Sequence, residues 1–128
     1  MITELTRMWL TRSTKPFLFK NEYDQELPFS DCDGLGLYVH IPFCRSICSF
    51  CPYCKTLYTE EACSRYIDAL IREIHLAGSQ APGKKTVTSL YFGGGTPALA
   101  ADRIKEIIDA IQEHFIITQG IGIELHPE

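Results

Sequence analysis

The chain has 128 residues, 45% of them apolar and 22% charged, which is the balance of one folded domain rather than of a disordered polymer. Acidic residues outnumber Lys and Arg by 16 to 12 and no basic run exceeds Lys84-Lys85, so the cationic footprint of a nucleic-acid partner is missing. No apolar stretch reaches the ~18–20 residues of a membrane span and the opening MITELTRMWLTRS lacks a secretion signal's apolar core, so a cytoplasmic protein with no membrane partner is expected.

Residues 1–34 carry no sustained period and mix Pro16, Pro28, Asp31, Asp33 and Gly34 with short apolar pieces such as Phe17 to Phe19, so an irregular leader is expected there. Leu35 to Ile41 (LGLYVHI) is a short apolar run bounded by Gly34 and Pro42, which suits a buried strand. In the following FCRSICSFCPYCK segment, Pro42 and Pro52 argue against regular structure and put the cysteines on a loop. From Thr59 the period becomes helical: Ala62, Tyr66, Ile67, Leu70, Ile71, Ile74 and Ala77 recur at three- and four-residue steps. Thr59 is the expected cap, Glu60 and Glu61 suit the positive end of the dipole, and Gly78 closes the helix.

After a connection containing Pro82 and Gly83, Thr86 to Phe92 (TVTSLYF) is β-branched and aromatic, a second strand that stops at Gly93-Gly94-Gly95. Ile104, Ile107, Ile108, Ile111 and Phe115 mark a second amphipathic helix, and Ile121 to Leu125 a third strand before Pro127. The order βαβαβ predicts an α/β fold with parallel strands and right-handed crossovers. Parallel strands place the cysteine loop, the three glycines and the Glu124 to Pro127 segment on one carboxyl-end face, where α/β proteins build their sites.

Cys44, Cys48 and Cys51 have the spacing C-x3-C-x2-C. Three thiolates on one short loop can hold three irons of a 4Fe-4S cluster and leave the fourth iron open to an outside ligand. A structural zinc site more often uses two C-x2-C pairs set well apart, whereas here the pairs overlap through Cys51. Zinc and no metal are the other readings. Cys54 is a fourth ligand, a substrate-side thiol or a spare. Cys32 and Cys63 read as small buried hydrophobes.

The glycines Gly93, Gly94 and Gly95 permit a positive φ and a close approach of backbone to a ligand, although three glycines after a strand are by themselves only a tight turn. Glu124 breaks the apolar alternation of Ile121, Ile123 and Leu125; its plain reading is a solvated strand-end carboxylate, its functional one a ligand-binding group. Tyr38 and His40 share one face of the first strand, either as barrel filling or as neighbours of a cofactor. His75 and His114 read as surface residues.

Y-x-H-I-P-F-C-x3-C-x-F-C at Tyr38 to Cys51, YFGGGTP at Tyr91 to Pro97 and IEL-x-P at Ile123 to Pro127 resemble the radical S-adenosylmethionine (SAM) enzymes. Within them they resemble the oxygen-independent coproporphyrinogen III oxidase group, which includes heme chaperones and radical methyltransferases. The resemblance implies a 4Fe-4S cluster on Cys44, Cys48 and Cys51 and SAM at the open iron, cleaved reductively to a 5′-deoxyadenosyl radical. It further implies a tetrapyrrole-like small-molecule substrate and an electron donor such as flavodoxin or ferredoxin. By the same resemblance Gly94 contacts the methionyl group of SAM, Gly95 and Thr96 line the neighbouring pocket, Phe50 packs beside the adenine, Glu124 binds SAM, and Tyr38 neighbours SAM and cluster. A non-enzymatic iron-sulfur or heme-binding module, with all four clustered cysteines as ligands, is the alternative.

Two departures qualify the match. Coproporphyrinogen oxidases carry a further cysteine two residues after the third ligand, where this chain has Tyr53, its extra cysteine coming one later at Cys54. A full α/β barrel needs about 250 residues, so residues 35–128 are expected to be the first part of a barrel, incomplete and inactive alone, with Ile107, Ile111, Ile121 and Ile123 short of cover.

Overall fold

A computed structural model describes residues 32–126 without a break, together with Leu5, Thr6, Met8, Trp9, Arg12, Leu27 and Phe29. Most of the expected leader, including Pro16, Phe17 to Phe19, Pro28 and Asp31, and also Pro127 of the last motif, lie outside the described residues.

Strand β1 (Gly34–Ile41) is followed by two short strands, β2 (Phe43–Cys44) and β3 (Thr56–Leu57), that bracket the cysteine loop. Helix α1 (Glu60–Ser79) leads into β4 (Lys85–Gly94), a 3₁₀ segment (Pro97–Arg103) and helix α2 (Ile104–His114). The chain then forms β5 (Phe115–Ile117) and β6 (Ile121–Ile123). β4 is central: β1 pairs parallel along one edge, while β5 and β6 pair parallel with the start and the end of the other. The expected parallel α/β architecture is therefore the one observed.

Several boundaries move, each for a local reason. The second strand extends through Gly93 and Gly94, because both stay in register with His40 and Ile41 of β1. Its TVTS stretch does not alternate cleanly because Leu35 pairs with Val87 but Gly36 with Ser89, leaving Thr88 as the extra residue of a bulge. Phe115, expected on the second helix, has extended backbone and opens β5, where it is buried with its ring 6.1 Å from that of Phe29. The third strand accordingly begins earlier than its apolar alternation suggests and is interrupted at 118–120. Gly78 does not close α1; the helix continues to Ser79 and is capped at Gln80. Thr59 is the N-cap, its hydroxyl accepting from the Ala62 N–H at 3.2 Å.

Both helices cover one face of the sheet and pack on each other. That layer buries Ile41, Ile67, Val87, Leu90, Phe92, Ile107 and Ile111 almost completely, each contributing roughly 1.5–3 kcal/mol. Ile107 and Ile111, expected to lack cover, are thus fully enclosed between α1 and the sheet; Ile121 (42% exposed) and Ile123 (39%) are the ones left partly open, at the edge. Cys63 is buried as expected, whereas Cys32 is only half-buried, its thiol 3.9 Å from the Phe29 carbonyl. The opposite face of the sheet is open, and there Tyr38 and Tyr91 stack with ring centroids 6.2 Å apart. No helix among the described residues is long and apolar enough to cross a membrane.

Candidate cofactor site

The parallel sheet brings the ends of β1 and β4 together, and the loops that leave them are fastened by backbone hydrogen bonds. Gly95 N–H donates to the Ile41 carbonyl at 2.8 Å and Thr96 N–H to the Phe43 carbonyl at 2.7 Å. The cysteine loop is closed at its base where Thr56 N–H donates to Pro42 and Tyr58 N–H to Cys44, so Cys44 sits in a short β2–β3 pairing rather than in irregular chain. Within it, Cys51 N–H donates to the Cys48 carbonyl, and the Lys55 ammonium donates to the Cys51 carbonyl.

A cleft of about 430 Å³ opens between these loops. Cys44, Cys48 and Cys51 line it together with Phe50, Gly94, Gly95 and Thr96, and Arg45 and His126 complete its polar wall. Seven of the nine residues singled out in the sequence for the cluster or its cofactor thus share one cavity. Glu124 joins it through Gly94, whose N–H donates to the Glu124 carboxylate at 3.0 Å. Glu124 is exposed just past the end of β6, as a strand-end carboxylate would be, and it also has this backbone partner. Tyr91 hydroxyl donates to the other carboxylate oxygen at 3.4 Å. Burial, the Glu124 charge and this hydrogen bond all push the Tyr91 phenol above its ordinary pKa.

Tyr38 stands apart. It lies 60% exposed on the open sheet face, and its hydroxyl is 3.4 Å from His40 Nδ1. His40 Nε2 donates to the Cys54 carbonyl at 3.1 Å; a carbonyl can only accept, so Nδ1 is the acceptor for Tyr38. His40 thereby ties the open face to the end of the cysteine loop, a role that its position in the sequence did not disclose. Tyr38 is held above its ordinary pKa by burial first, then by the charges of Glu124 and Tyr53. His126 was also missed as a cleft residue; its alternation with Glu124 beyond the third strand was the available signal. Cys54 is exposed and does not line the cleft.

Gly94 has the positive φ expected of this segment, and Gly94 and Gly95 both line the cleft; the glycines have a second use as well. A Cβ on Gly95 would lie 2.4 Å from the Phe43 carbonyl oxygen and 2.8 Å from Cys44 Sγ. On Gly94, at φ +120°, it would meet the His40 ring at 2.7 Å. The missing side chains therefore also let the glycine segment dock against His40 and the cysteine loop, in addition to lining the cavity directly.

The donor set suits an iron-sulfur group. Three thiols on the wall of an open cleft are soft ligands, and the cavity beside them leaves room for a further ligand on the metal.

No protein-family model matches the chain. Anaerobilin synthase of Escherichia coli is 44% identical over 79 residues, which is 60% of this chain and 18% of that protein. The heme chaperone HemW of Mycobacterium tuberculosis is 32% identical over 101 residues, covering 73% of this chain and 25% of the relative. Among solved structures, coproporphyrinogen III oxidase (HemN) from Escherichia coli, described as a radical SAM enzyme, superimposes with a TM-score of 0.66 and 34% identity over 73% of this chain and 22% of its own. The chain belongs to the coproporphyrinogen III oxidase-like radical SAM group. It spans roughly a fifth to a quarter of the length of these members.

Proposed function

We propose that this chain carries the cofactor-binding part of a radical SAM oxidoreductase acting on a tetrapyrrole or a related substrate. The observation that carries the reading is the single cleft that joins Cys44, Cys48 and Cys51 to Gly94, Gly95 and Thr96. Cys44, Cys48 and Cys51 would hold three irons of a 4Fe-4S cluster. Bound there, the cluster supplies the electron that cleaves SAM reductively. Gly94 already gives its N–H to Glu124, so the backbone group it turns to the amino end of SAM is its carbonyl. Glu124 then acts by fixing that strand end, with Gly95 and Thr96 forming the adjoining wall. Phe50, 86% exposed at the mouth of the cleft, is the flat surface available to the adenine. Tyr38, on the open sheet face with its hydroxyl at His40, is the neighbour of SAM and cluster on that side. A flavodoxin or ferredoxin is the class of electron donor, and the cytoplasm the compartment.

The test is anaerobic reconstitution with iron and sulfide, followed by electron paramagnetic resonance of the dithionite-reduced cluster with excess SAM. A signal that shifts on adding SAM, with 5′-deoxyadenosine formed by the complete protein, is the expected result. An intact cluster whose signal ignores SAM would overturn the reading. The second reading, a heme chaperone or electron-carrying iron-sulfur module, is supported by the similarity to HemW over 73% of the chain. It takes Cys54 as a fourth ligand, so loss of the cluster in Cys54→Ala as complete as in Cys48→Ala would favour it.

A further inference from the structure

Far from the cleft, α1 and α2 end side by side. Both helices run antiparallel to the strands, so their last turns lie at the amino end of the sheet, where Phe115 pairs with Lys85, the first residue of β4. Lys85 and Gly94 are nine residue steps apart in β4, about 30 Å along the strand. At that far end His75 Nδ1 and His114 Nε2 are 3.0 Å apart, and Glu113 Oε2 is 3.7 Å from His75 Nδ1. Neither histidine is the simple surface residue expected from sequence; both are half-buried, with rings crossed at 72°.

We propose that His75, Glu113 and His114 form a second metal site, for a divalent transition ion of the Zn(II) type, that clips the ends of α1 and α2 together. Among the described residues this is the group of three His, Cys, Asp or Glu side chains whose ligand atoms all lie within 4.8 Å of one another. Two imidazole nitrogens bound at ~2.0–2.1 Å with a tetrahedral angle stand roughly 3.3 Å apart, so the observed separation needs an adjustment of only tenths of an ångström. Two nitrogens and a carboxylate oxygen leave a fourth position for water, and the half-exposed setting gives the ion a way in.

The helix has made room for this contact. Gly78 is the penultimate residue of α1 and is buried. A Cβ at that position would lie 2.3 Å from His114 Cγ. Glycine there lets the His114 ring lie against the helix backbone one turn from His75, a seat that a solvated surface histidine has no need of. The nitrogen and oxygen donors also separate this site chemically from the all-thiol site at the other end of the sheet, which favours softer metal and iron-sulfur chemistry.

Zn(II) alone is titrated into the full chain with ¹⁵N-labelled histidine, and the imidazole nitrogens are followed by NMR. Residue-resolved signals keep zinc taken up by the cysteine thiols apart from zinc at this site. The expected result is a saturable shift of His75 Nδ1 and His114 Nε2, while zinc at the cysteines is read separately at His126 in the cleft wall and at His40 beside the cysteine loop. In His75→Gln the His114 signal should need about tenfold more zinc or not respond, and in Glu113→Gln a few-fold more. Unmoved His75 and His114 signals in the unsubstituted chain would overturn the proposal and leave a plain hydrogen bond between two neutral imidazoles. Equal zinc response of His114 with and without His75 would overturn it as well.

Discussion

Replacing Gly95 by alanine adds one methyl group at the point where the glycine segment meets the cysteine loop. Built on the present backbone, that carbon lies 2.4 Å from the Phe43 carbonyl oxygen and 2.8 Å from both the Phe43 carbonyl carbon and Cys44 Sγ, while ordinary contact begins near 3.4 Å. The loops must part by about 1 Å. Two of the contacts are backbone atoms, so no side-chain rotation can relieve them. The Phe43 oxygen also accepts the Thr96 N–H at 2.7 Å, and Gly95's own N–H donates to the Ile41 carbonyl at 2.8 Å. Overpacking of this kind costs about 1–3 kcal/mol, and weakening one of the two bonds adds about 0.5–1.5 kcal/mol. A loss of about 2–4 kcal/mol is expected, which is a fall of about 1–2 M in the urea midpoint at unchanged slope. Gly36→Ala is the matched control: it lies in β1 with nothing within 4 Å of the added carbon, and its effect should stay within about 0.5 kcal/mol. Urea unfolding followed by circular dichroism measures both. Because Cys44 Sγ moves with the loop, Gly95→Ala should also hold less iron after reconstitution. If the two variants unfold at the same midpoint and bind iron equally, the docking argument for Gly95 is wrong.

Alanine at Cys44, Cys48 or Cys51 should abolish the iron-sulfur absorbance after reconstitution, whereas Cys54→Ala, exposed and outside the cleft, should retain it; iron and sulfide analysis distinguishes the two. The Tyr91 phenol, raised by burial and then by Glu124, stays neutral through the ordinary tyrosine range near pH ~10. A raised folded-state value means that its contribution to stability is complete below that range and is lost as pH climbs through the raised value. Glu124→Gln should therefore move the Tyr91 ring titration, followed by NMR, to lower pH; an unchanged titration would contradict the assigned contact. Ile107→Ala, at a fully buried position on the inner face of α2, should cost about 2–5 kcal/mol in thermal or urea unfolding, and a cost below 1 kcal/mol would mean that α2 is not seated as described. Arg103 donates to Asp68 and Glu106 at 2.8 Å and to Ser64 at 3.2 Å, and these carboxylates raise its pKa. Exposed pairs are worth about 0.2–1 kcal/mol each, so Arg103→Ala should lower stability by about 1–2 kcal/mol, with the difference shrinking in high salt.

The helix over Ala62 to Ala77 and the strands through Val39 and Phe92 were legible in the sequence because each repeats apolar residues at its own period, and that period alone decides which face is buried. The cysteine triplet was legible for a different reason: its ligands are local, so their spacing survives without knowledge of the fold. Parallel order then predicted a shared face for Cys44, Gly94 and Glu124, a topological consequence of βαβ connection that needs no side-chain detail.

What the sequence left undecided were contacts between residues distant along the chain. Thr88 became a bulge only because β1 pairs with β4 in one register, and Phe115 left the helix because its ring is buried against Phe29. Gly95 and Gly78 look like turn and cap residues in one dimension. In three dimensions they are the places where Cys44 and His114, at 51 and 36 residues' remove, come too close for a Cβ. Local propensity and spacing thus set the elements and the metal-binding motif. Close packing of remote segments set which atoms meet in the cleft and brought His75 to His114, since steric exclusion acts between neighbours in space and leaves no period in the sequence.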